Sequence, residues 1–324
     1  MSDLLRVEDL KVHFGGGKKL WGGDGPTVHA VDGVSFSVPK GKTLGIVGES
    51  GSGKTTAALA ILRLVPITSG RISLGEQEIS SLQGGDLRLA RRRFQIIFQD
   101  PYSSLDPRRR AGDIVREPLD LMGVGEPAGR DAAVAELFVQ VGLRSEQRSL
   151  FPHQFSGGQR QRISLARALA TKPELIVCDE PVSALDVAIQ AQILNLMRRL
   201  QDDLGLTYLF ISHDLGVVQY VCDEVAVMYL GRIVEQADRK TIFSQPKHPY
   251  TQALLSAVPS AKRFDRENST RIVLKGDPPS PIDLPKGCSF AARCSYAEAG
   301  CHEVYPELAK IDQNHKVACH LAVC

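Results

Sequence analysis

Gly48-Glu49-Ser50-Gly51-Ser52-Gly53-Lys54-Thr55, followed by Thr56, fits the pattern G-x-x-x-x-G-K-[ST]. Its flanks decide how it is read. Upstream, Thr43-Leu44-Gly45-Ile46-Val47 is a short apolar run of the kind that fills a buried strand; downstream, Ala57 to Leu64 is rich in good helix formers. Strand, glycine-rich turn and helix in that order predict a loop that cradles phosphate. The glycines at 48, 51 and 53 let backbone N–H groups converge on anionic oxygens around Ser50, and the helix N-terminus adds partial positive charge. In such a loop Lys54 reaches the β- and γ-phosphates and the Thr55 hydroxyl ligates Mg²⁺. The stretch predicts binding of a nucleoside triphosphate.

Composition narrows the class. At 324 residues the chain has room for one large domain or two smaller ones. A formal net charge of +2 argues against a dedicated nucleic-acid binder, although Arg91-Arg92-Arg93 and Arg108-Arg109-Arg110 are basic clusters, read as solvated surface or as partner contacts. No apolar run approaches the roughly 18 residues of a membrane span. The N-terminus carries Asp3 and no hydrophobic signal region, so export is not expected. Of seven cysteines, five lie between Cys288 and Cys324, a local cluster that points to a metal more than to disulfides.

Taken in order, Leu5 to His13 alternates apolar and polar residues as a strand does, with an irregularity near Asp9. Phe14 follows, placed either to stack on an adenine ring or to pack within the protein. A Gly- and Lys-rich loop from Gly15 to Gly25 holds Trp21, and Val28 to Val38 alternates again. Gly70 to Gly75 predicts a hairpin element, and Phe94 to Phe98 a buried strand ending at Gln99-Asp100-Pro101. A glutamine at such a strand end is suited to ligate Mg²⁺ or position water. Pro107 to Leu150 turns helical, clearest over Ala132 to Val141. Phe155-Ser156-Gly157-Gly158-Gln159 then opens a helix over Arg160 to Ala170, a second helix N-terminus ready for an anion.

Leu175 to Glu180 is a strand ending in two acids. Asp179 suits the Mg²⁺ shell, and Glu180 suits orienting and deprotonating an attacking water. Ser183-Ala184-Leu185-Asp186 is a turn that caps an amphipathic helix, Val187 to Leu204. Tyr208 to Ser212 is a further buried strand that delivers His213, a candidate sensor of the γ-phosphate. Val225 to Leu230 and Arg232 to Glu235 form a last hairpin, where the ATPase fold is expected to finish.

Together these segments resemble the nucleotide-binding subunit of an ATP-binding cassette transporter. Gly48–Thr55 looks like Walker A, Gln99 like the Q-loop and Ser156–Gln159 like the signature, with Phe155 where leucine is more common. Leu175–Asp179 looks like Walker B with Glu180 as catalytic glutamate, Ser183–Asp186 like the D-loop, and His213 like the switch histidine. The resemblance implies an α/β fold, a P-loop NTPase cassette with a RecA-like core, an antiparallel β-subdomain and a helical subdomain at about residues 100–165. The cassette would span 1–235, and 236–324 would be a small cysteine-containing extension. It further implies ATP and Mg²⁺, and an ATPase whose triphosphate is clamped between the lysine loop of one subunit and the signature of another.

A narrower resemblance lies on top. Gln99 to Pro107 and His248-Pro249-Tyr250-Thr251-Gln252-Ala253-Leu254-Leu255 are similar to segments of oligopeptide and dipeptide importers, and the Phe14–Val28 insertion to one in their second ATPase subunit. Nickel, glutathione and some sugar importers share these features. The implied partners are a paralogous second ATP-binding subunit, two transmembrane permease subunits that dock near Gln99 to Leu121, and an extracytoplasmic substrate-binding protein. The implied location is peripheral, on the cytoplasmic face of the inner membrane, with no nucleic acid bound. The rival class is a soluble cassette ATPase acting on nucleic acid or ribosomes, which usually has two cassettes or a long coiled coil; neither pattern is present.

Cys288, Cys294, Cys301 and Cys319 are separated by five, six and seventeen residues, and Cys324 ends the sequence. No C-x-x-C pair occurs, so a ribbon-type zinc site is not indicated. The segment resembles the tail of peptide-importer ATPases, some of which hold a 4Fe–4S cluster on four cysteines. Fe–S, Zn²⁺ and metal-free thiols or disulfides all stay open, with His302, His315 and His320 nearby as substitute zinc ligands or as solvated neighbours.

Overall fold

A computed structural model describes residues 2–15, 25–100, 102–258, 272–274 and 276–322. Trp21 and most of the Phe14–Val28 insertion, Pro101 and Cys324 lie outside them. The first half of the chain runs β1 (Asp3–Gly15), β2 (Thr27–Pro39), β3 (Thr43–Val47), α1 (Lys54–Ile61), β4 (Ser69–Leu74), β5 (Gln77–Glu78), α2 (Gly84–Ala90), β6 (Phe94–Ile97), α3 (Ala111–Met122) and α4 (Arg130–Gln140). It continues through α5 (Gly157–Leu169), β7 (Leu175–Asp179), α6 (Val187–Leu204), β8 (Thr207–Ser212), α7 (Leu215–Val221), β9 (Glu224–Tyr229) and β10 (Arg232–Asp238). Helices α8 (Arg239–Ser244), α9 (Pro249–Ser256) and α10 (Ala299–Glu303) precede β11 (Ala309–Asp312) and β12 (His315–Val317). The chain forms two compact units that alternate along the sequence: Met1–Leu5, Ser37–Thr43 and Ser73–Ile211 make one, Arg6–Phe36, Leu44–Ile72 and Ser212–Cys324 the other.

In the first unit β6, β7 and β8 are parallel neighbours, with Phe94 opposite Leu175 and Cys178 opposite Phe210. Every residue of β7 is buried, as parallel strands covered on both faces require, which is why they read as continuous apolar runs. The expected helical stretch resolves into α3 and α4, with a short 3₁₀ turn at Ser145–Ser149, and α3 packs on both α4 and α5. Helix α6 follows the sequence reading from end to end. Its apolar stripe buries Ile193, Leu196, Met197 and Leu200, and Gly205 ends it at φ 67°.

In the second unit the strand order is β11-β12-β10-β9-β3, with β3 parallel to β9 and the remaining pairs antiparallel. Asp9, where the alternation of β1 falters, has φ 45°, and its N–H is taken by the Ser35 hydroxyl at 2.8 Å. Helix α1 begins three residues earlier than its composition indicates, because Gly53 at φ 100° turns the chain into it at Lys54. The hairpin expected to close at Glu235 continues to Asp238, since β12 pairs along it with Glu235 opposite Val317 and Ala237 opposite His315. Among the described residues no helix is long and apolar enough to cross a membrane.

Candidate functional site

The phosphate loop belongs to the second unit. A Cβ at Gly48 would stand 2.2 Å from the Met228 carbonyl oxygen, and one at Gly53 2.1 Å from that of Ala30, so backbone passes where any side chain would collide. Gly231 N–H donates to the Ser52 carbonyl at 2.9 Å and closes the loop against the turn between β9 and β10. Lys54, 6% exposed, folds back across its own loop and donates to the carbonyls of Gly48 at 2.9 Å and Glu49 at 2.8 Å. Its ammonium is thus stationed over the cradle, with Ser50, Gly51 and Thr55 exposed, Thr56 half-buried and Ser52 buried.

Phe14 ends β1 at 39% exposure, with its ring outside the core. His213 is exposed just after β8, and Asp214 next to it caps α7 by accepting from Gly216 N–H at 2.8 Å. That cap fixes where His213 leaves the strand.

The first unit gathers the acids. Asp179 ends β7 buried, and Glu180 follows at φ 47°, a left-handed conformation that costs a side-chain-bearing residue roughly 1–2 kcal/mol. Its N–H is held by the Ile211 carbonyl at 2.9 Å, and its carboxylate accepts from Gln99 Nε2 at 2.8 Å. Strand ends β6 and β7 therefore bring Gln99 and Glu180 together. After the turn, Ser183 Oγ donates to the Glu180 carbonyl at 3.1 Å, and exposed Asp186 stands at the N-cap of α6 without capping it.

Ser156 caps α5. Its Oγ accepts from Gln159 N–H at 3.4 Å while Gln159 Oε1 accepts from Ser156 N–H at 3.0 Å, a reciprocal capping box that leaves the helix mouth exposed. Gly158 lies against α6, where a Cβ would meet Ile189 Cγ2 at 2.6 Å, and a Cβ at Gly157 would meet Leu185 Cδ2 at 3.3 Å. Phe155 is buried, and its carbonyl accepts from Arg160 Nε at 3.1 Å. The Arg160 guanidinium lies 4.1 Å over the Tyr102 ring, and Arg167 donates to the Ser104 carbonyl at 2.6 Å. These bonds tie the segment after Gln99 to the helix that Ser156 opens. Sequence spacing alone does not show that tie.

Two further contacts to the phosphate loop escaped the sequence reading. Tyr250, in the His248–Leu255 stretch, accepts the Glu49 N–H on its phenol oxygen at 2.8 Å. Arg293 grips the Glu49 carboxylate with both terminal nitrogens, at 2.7 and 3.2 Å. The only signal was the Tyr and Arg inside stretches already singled out for other reasons.

Cys288, Cys294, Cys301 and Cys319 line one cavity of about 20 Å³ with His248, Phe290 and His320. No disulfide joins any of the four. Burial pushes the thiols of Cys288, Cys294 and Cys319 up, while backbone N–H groups of Phe290, Tyr296 and Leu321 draw them back down. Four soft donors with N–H groups aimed at their sulfurs suit a bound cation. In tetrahedral zinc the sulfurs stand about 3.8 Å apart, from Zn–S bonds of about 2.3 Å. Among the described residues one trio of metal-ligand atoms lies within 4.8 Å of each other, His13, His29 and Asp32. His315 is turned away onto Glu235 at 2.7 Å, His302 is exposed, and His320 bonds the Val304 carbonyl at 2.9 Å.

Residues 31–183 match the family model described as ABC transporter, and residues 234–301 match that of the oligopeptide/dipeptide transporter, C-terminal region. Similar relatives include the oligopeptide transport ATP-binding protein AppF of Bacillus subtilis, 49% identical over 98% of this chain and 97% of that protein. The probable peptide ABC transporter ATP-binding protein y4tS of Sinorhizobium fredii is 47% identical over 99% of this chain and 91% of its own. Among solved structures, a dimer of the ATP-binding cassette MJ0796 bound to ADP and Pi covers 72% of this chain and 98% of its own at TM-score 0.63 and 26% identity. The cassette cbiO1 of Clostridium perfringens, part of the transporter complex cbiONQ, covers 76% and 92% at TM-score 0.64 and 26% identity. The chain belongs to the ABC transporter ATP-binding subunits and is an ATPase with the ABC cassette fold. Within them it carries the C-terminal region of the oligopeptide/dipeptide branch.

Proposed function

We propose that this chain is one of two ATP-hydrolysing subunits of a membrane importer for di- and oligopeptides. The observation that carries the reading is the pairing of a full cassette motif set with the oligopeptide/dipeptide C-terminal region at residues 234–301. In this reading Gly48–Thr55 and Thr56 hold the ATP phosphates, and Phe14 stacks on the adenine. Thr55, Gln99 and Asp179 order Mg²⁺, Glu180 activates water, and His213 senses the γ-phosphate. Ser156–Gln159 and Asp186 serve the nucleotide of a second cassette. The exposed mouth of α5 supports that last assignment, and so does Val187, an apolar side chain left 82% exposed beside Asp186.

Permease subunits would dock on the segment from Gln99 to Leu121, where Tyr102 and Leu121 are more than half exposed. In this reading the chain works on the cytoplasmic face of the membrane, with residues 1–235 as motor and 236–324 as the branch-specific extension. Peptide capture falls to an extracytoplasmic binding protein.

Cys288, Cys294, Cys301 and Cys319 would hold a 4Fe–4S cluster, supported by their four-sulfur set around one cavity. The four thiolates would ligate its iron, which would offset part of their charge and tie the cysteine-bearing turns together. Anaerobically purified protein is expected to show visible absorption and to contain iron without zinc; zinc at one equivalent would refute this assignment.

Affinity purification of the full chain from solubilised membranes tests the importer itself. Two permease subunits and a second cassette are expected to co-purify, and peptide-loaded binding protein to accelerate ATP hydrolysis. Recovery with RNA and no membrane protein would refute it.

A further inference from the structure

Glu49 is an acid inside a loop read as the seat of a triphosphate. Unpaired, its carboxylate would repel the incoming phosphates. It is instead held on three sides. Lys54 Nζ donates to its carbonyl at 2.8 Å, its N–H donates to Tyr250 Oη at 2.8 Å, and Arg293 forms a two-pronged ion pair with its carboxylate. The Arg293 side chain is 7% exposed and that of Glu49 28%, so solvent screens this pair less than one on open surface. Its fork geometry also fixes orientation in a way that an ammonium cannot. Tyr229 and Phe290 complete the seat, with Tyr229 Oη 3.4 Å from Arg293 and the Tyr229 and Phe290 rings edge-to-face.

Arg293 stands in a short turn with a cysteine at each end. Ala291 N–H donates to the Cys288 carbonyl at 3.0 Å, Arg293 N–H to Phe290 at 2.9 Å, and Cys294 N–H to Ala291 at 3.2 Å. Cys288 N–H is in turn bonded to the Cys301 carbonyl at 2.8 Å. Gly287 passes so close to Cys301 that a Cβ would meet its carbonyl oxygen at 2.3 Å, which pins the turn to α10. The thiols of Cys288 and Cys294 face the same small cavity as Cys301 and Cys319. The turn that lines the cysteine cavity therefore also carries Arg293, which holds the Glu49 carboxylate.

We propose that Arg293 is a positioning residue for the phosphate loop, and that the state of the cysteine pocket adjusts nucleotide affinity through it. The inference rests on the ATP-binding reading of Gly48–Thr55, but not on which group the cysteines carry.

Fluorescent ATP-analogue titration of the full chain with Mg²⁺ tests it, with the melting temperature of each variant as the fold control. Arg293→Ala is expected to weaken binding roughly tenfold, and Arg293→Lys to recover only part of that loss. In a Glu49→Gln background the carboxylate to be neutralised is gone, so Arg293→Ala should cost little more. Cys319→Ser, in the same cavity lining, is expected to weaken binding in the native chain and to add nothing in the Arg293→Ala chain. Unchanged affinity in a well-folded Arg293→Ala variant overturns the inference, as does full additivity with Glu49→Gln or Cys319→Ser. Should Arg293→Ala fail to fold, Arg293→Lys with and without Glu49→Gln carries the same comparison. A native chain that bound no nucleotide would refute the ATP-binding reading itself.

Discussion

Asp32 shows how one side chain joins distant parts of the second unit. Arg232 Nη2 and Nε reach its Oδ2 at 2.5 and 3.0 Å, and His13 Nε2 lies 3.3 Å from its Oδ1. Burial acts to raise its pKa, but the Arg232 guanidinium, with help from His13, outweighs burial and holds the carboxyl below its ordinary range. A carboxylate depressed in the folded state stabilises it fully above the unfolded pKa of about 3.9 and loses that contribution as pH falls through the folded value. Asp32→Asn is expected to cost about 2 kcal/mol at pH 7. The gap between variant and native chain should close as the pH drops below about 4. Urea titrations at the two extremes check this; a gap independent of pH would show that the charge is not the source.

At the scale of elements, α5 and α6 meet at Gly158, where an added Cβ would stand 2.6 Å from Ile189 Cγ2. Gly158→Ala is expected to overpack this contact and cost about 1–3 kcal/mol. Adding Ile189→Ala should restore most of the melting temperature; no recovery would place the strain elsewhere. Long periodic elements were legible beforehand. Helix α6 showed its apolar stripe, its N-cap residue Asp186 and its terminal Gly205 in sequence, and β7 showed a run that only burial on both faces explains. The start of α1 was not legible, because a left-handed glycine rather than helix propensity sets it. Nor was β12, three residues long with Lys316 exposed between buried His315 and Val317; pairing with β10 makes it a strand.

For the molecule as a whole, motif order revealed the cassette, because each motif sits at a strand end or helix mouth that local sequence predicts. Partnerships across long separations were hidden. Glu49 with Arg293 spans 244 positions and His315 with Glu235 spans 80, and no periodicity announces either. The extension therefore read as a cysteine-bearing appendage, whereas β11 and β12 extend the strand order of the second unit and Arg293 reaches its phosphate loop. The proposed ATP cleavage is driven by Glu180, at the strained end of β7. Its most direct test measures bound ATP and released phosphate on the same transporter-complex samples, with native chain and with Glu180→Gln. The account predicts that the variant retains ATP and releases almost no phosphate. Phosphate release at the native rate would contradict it.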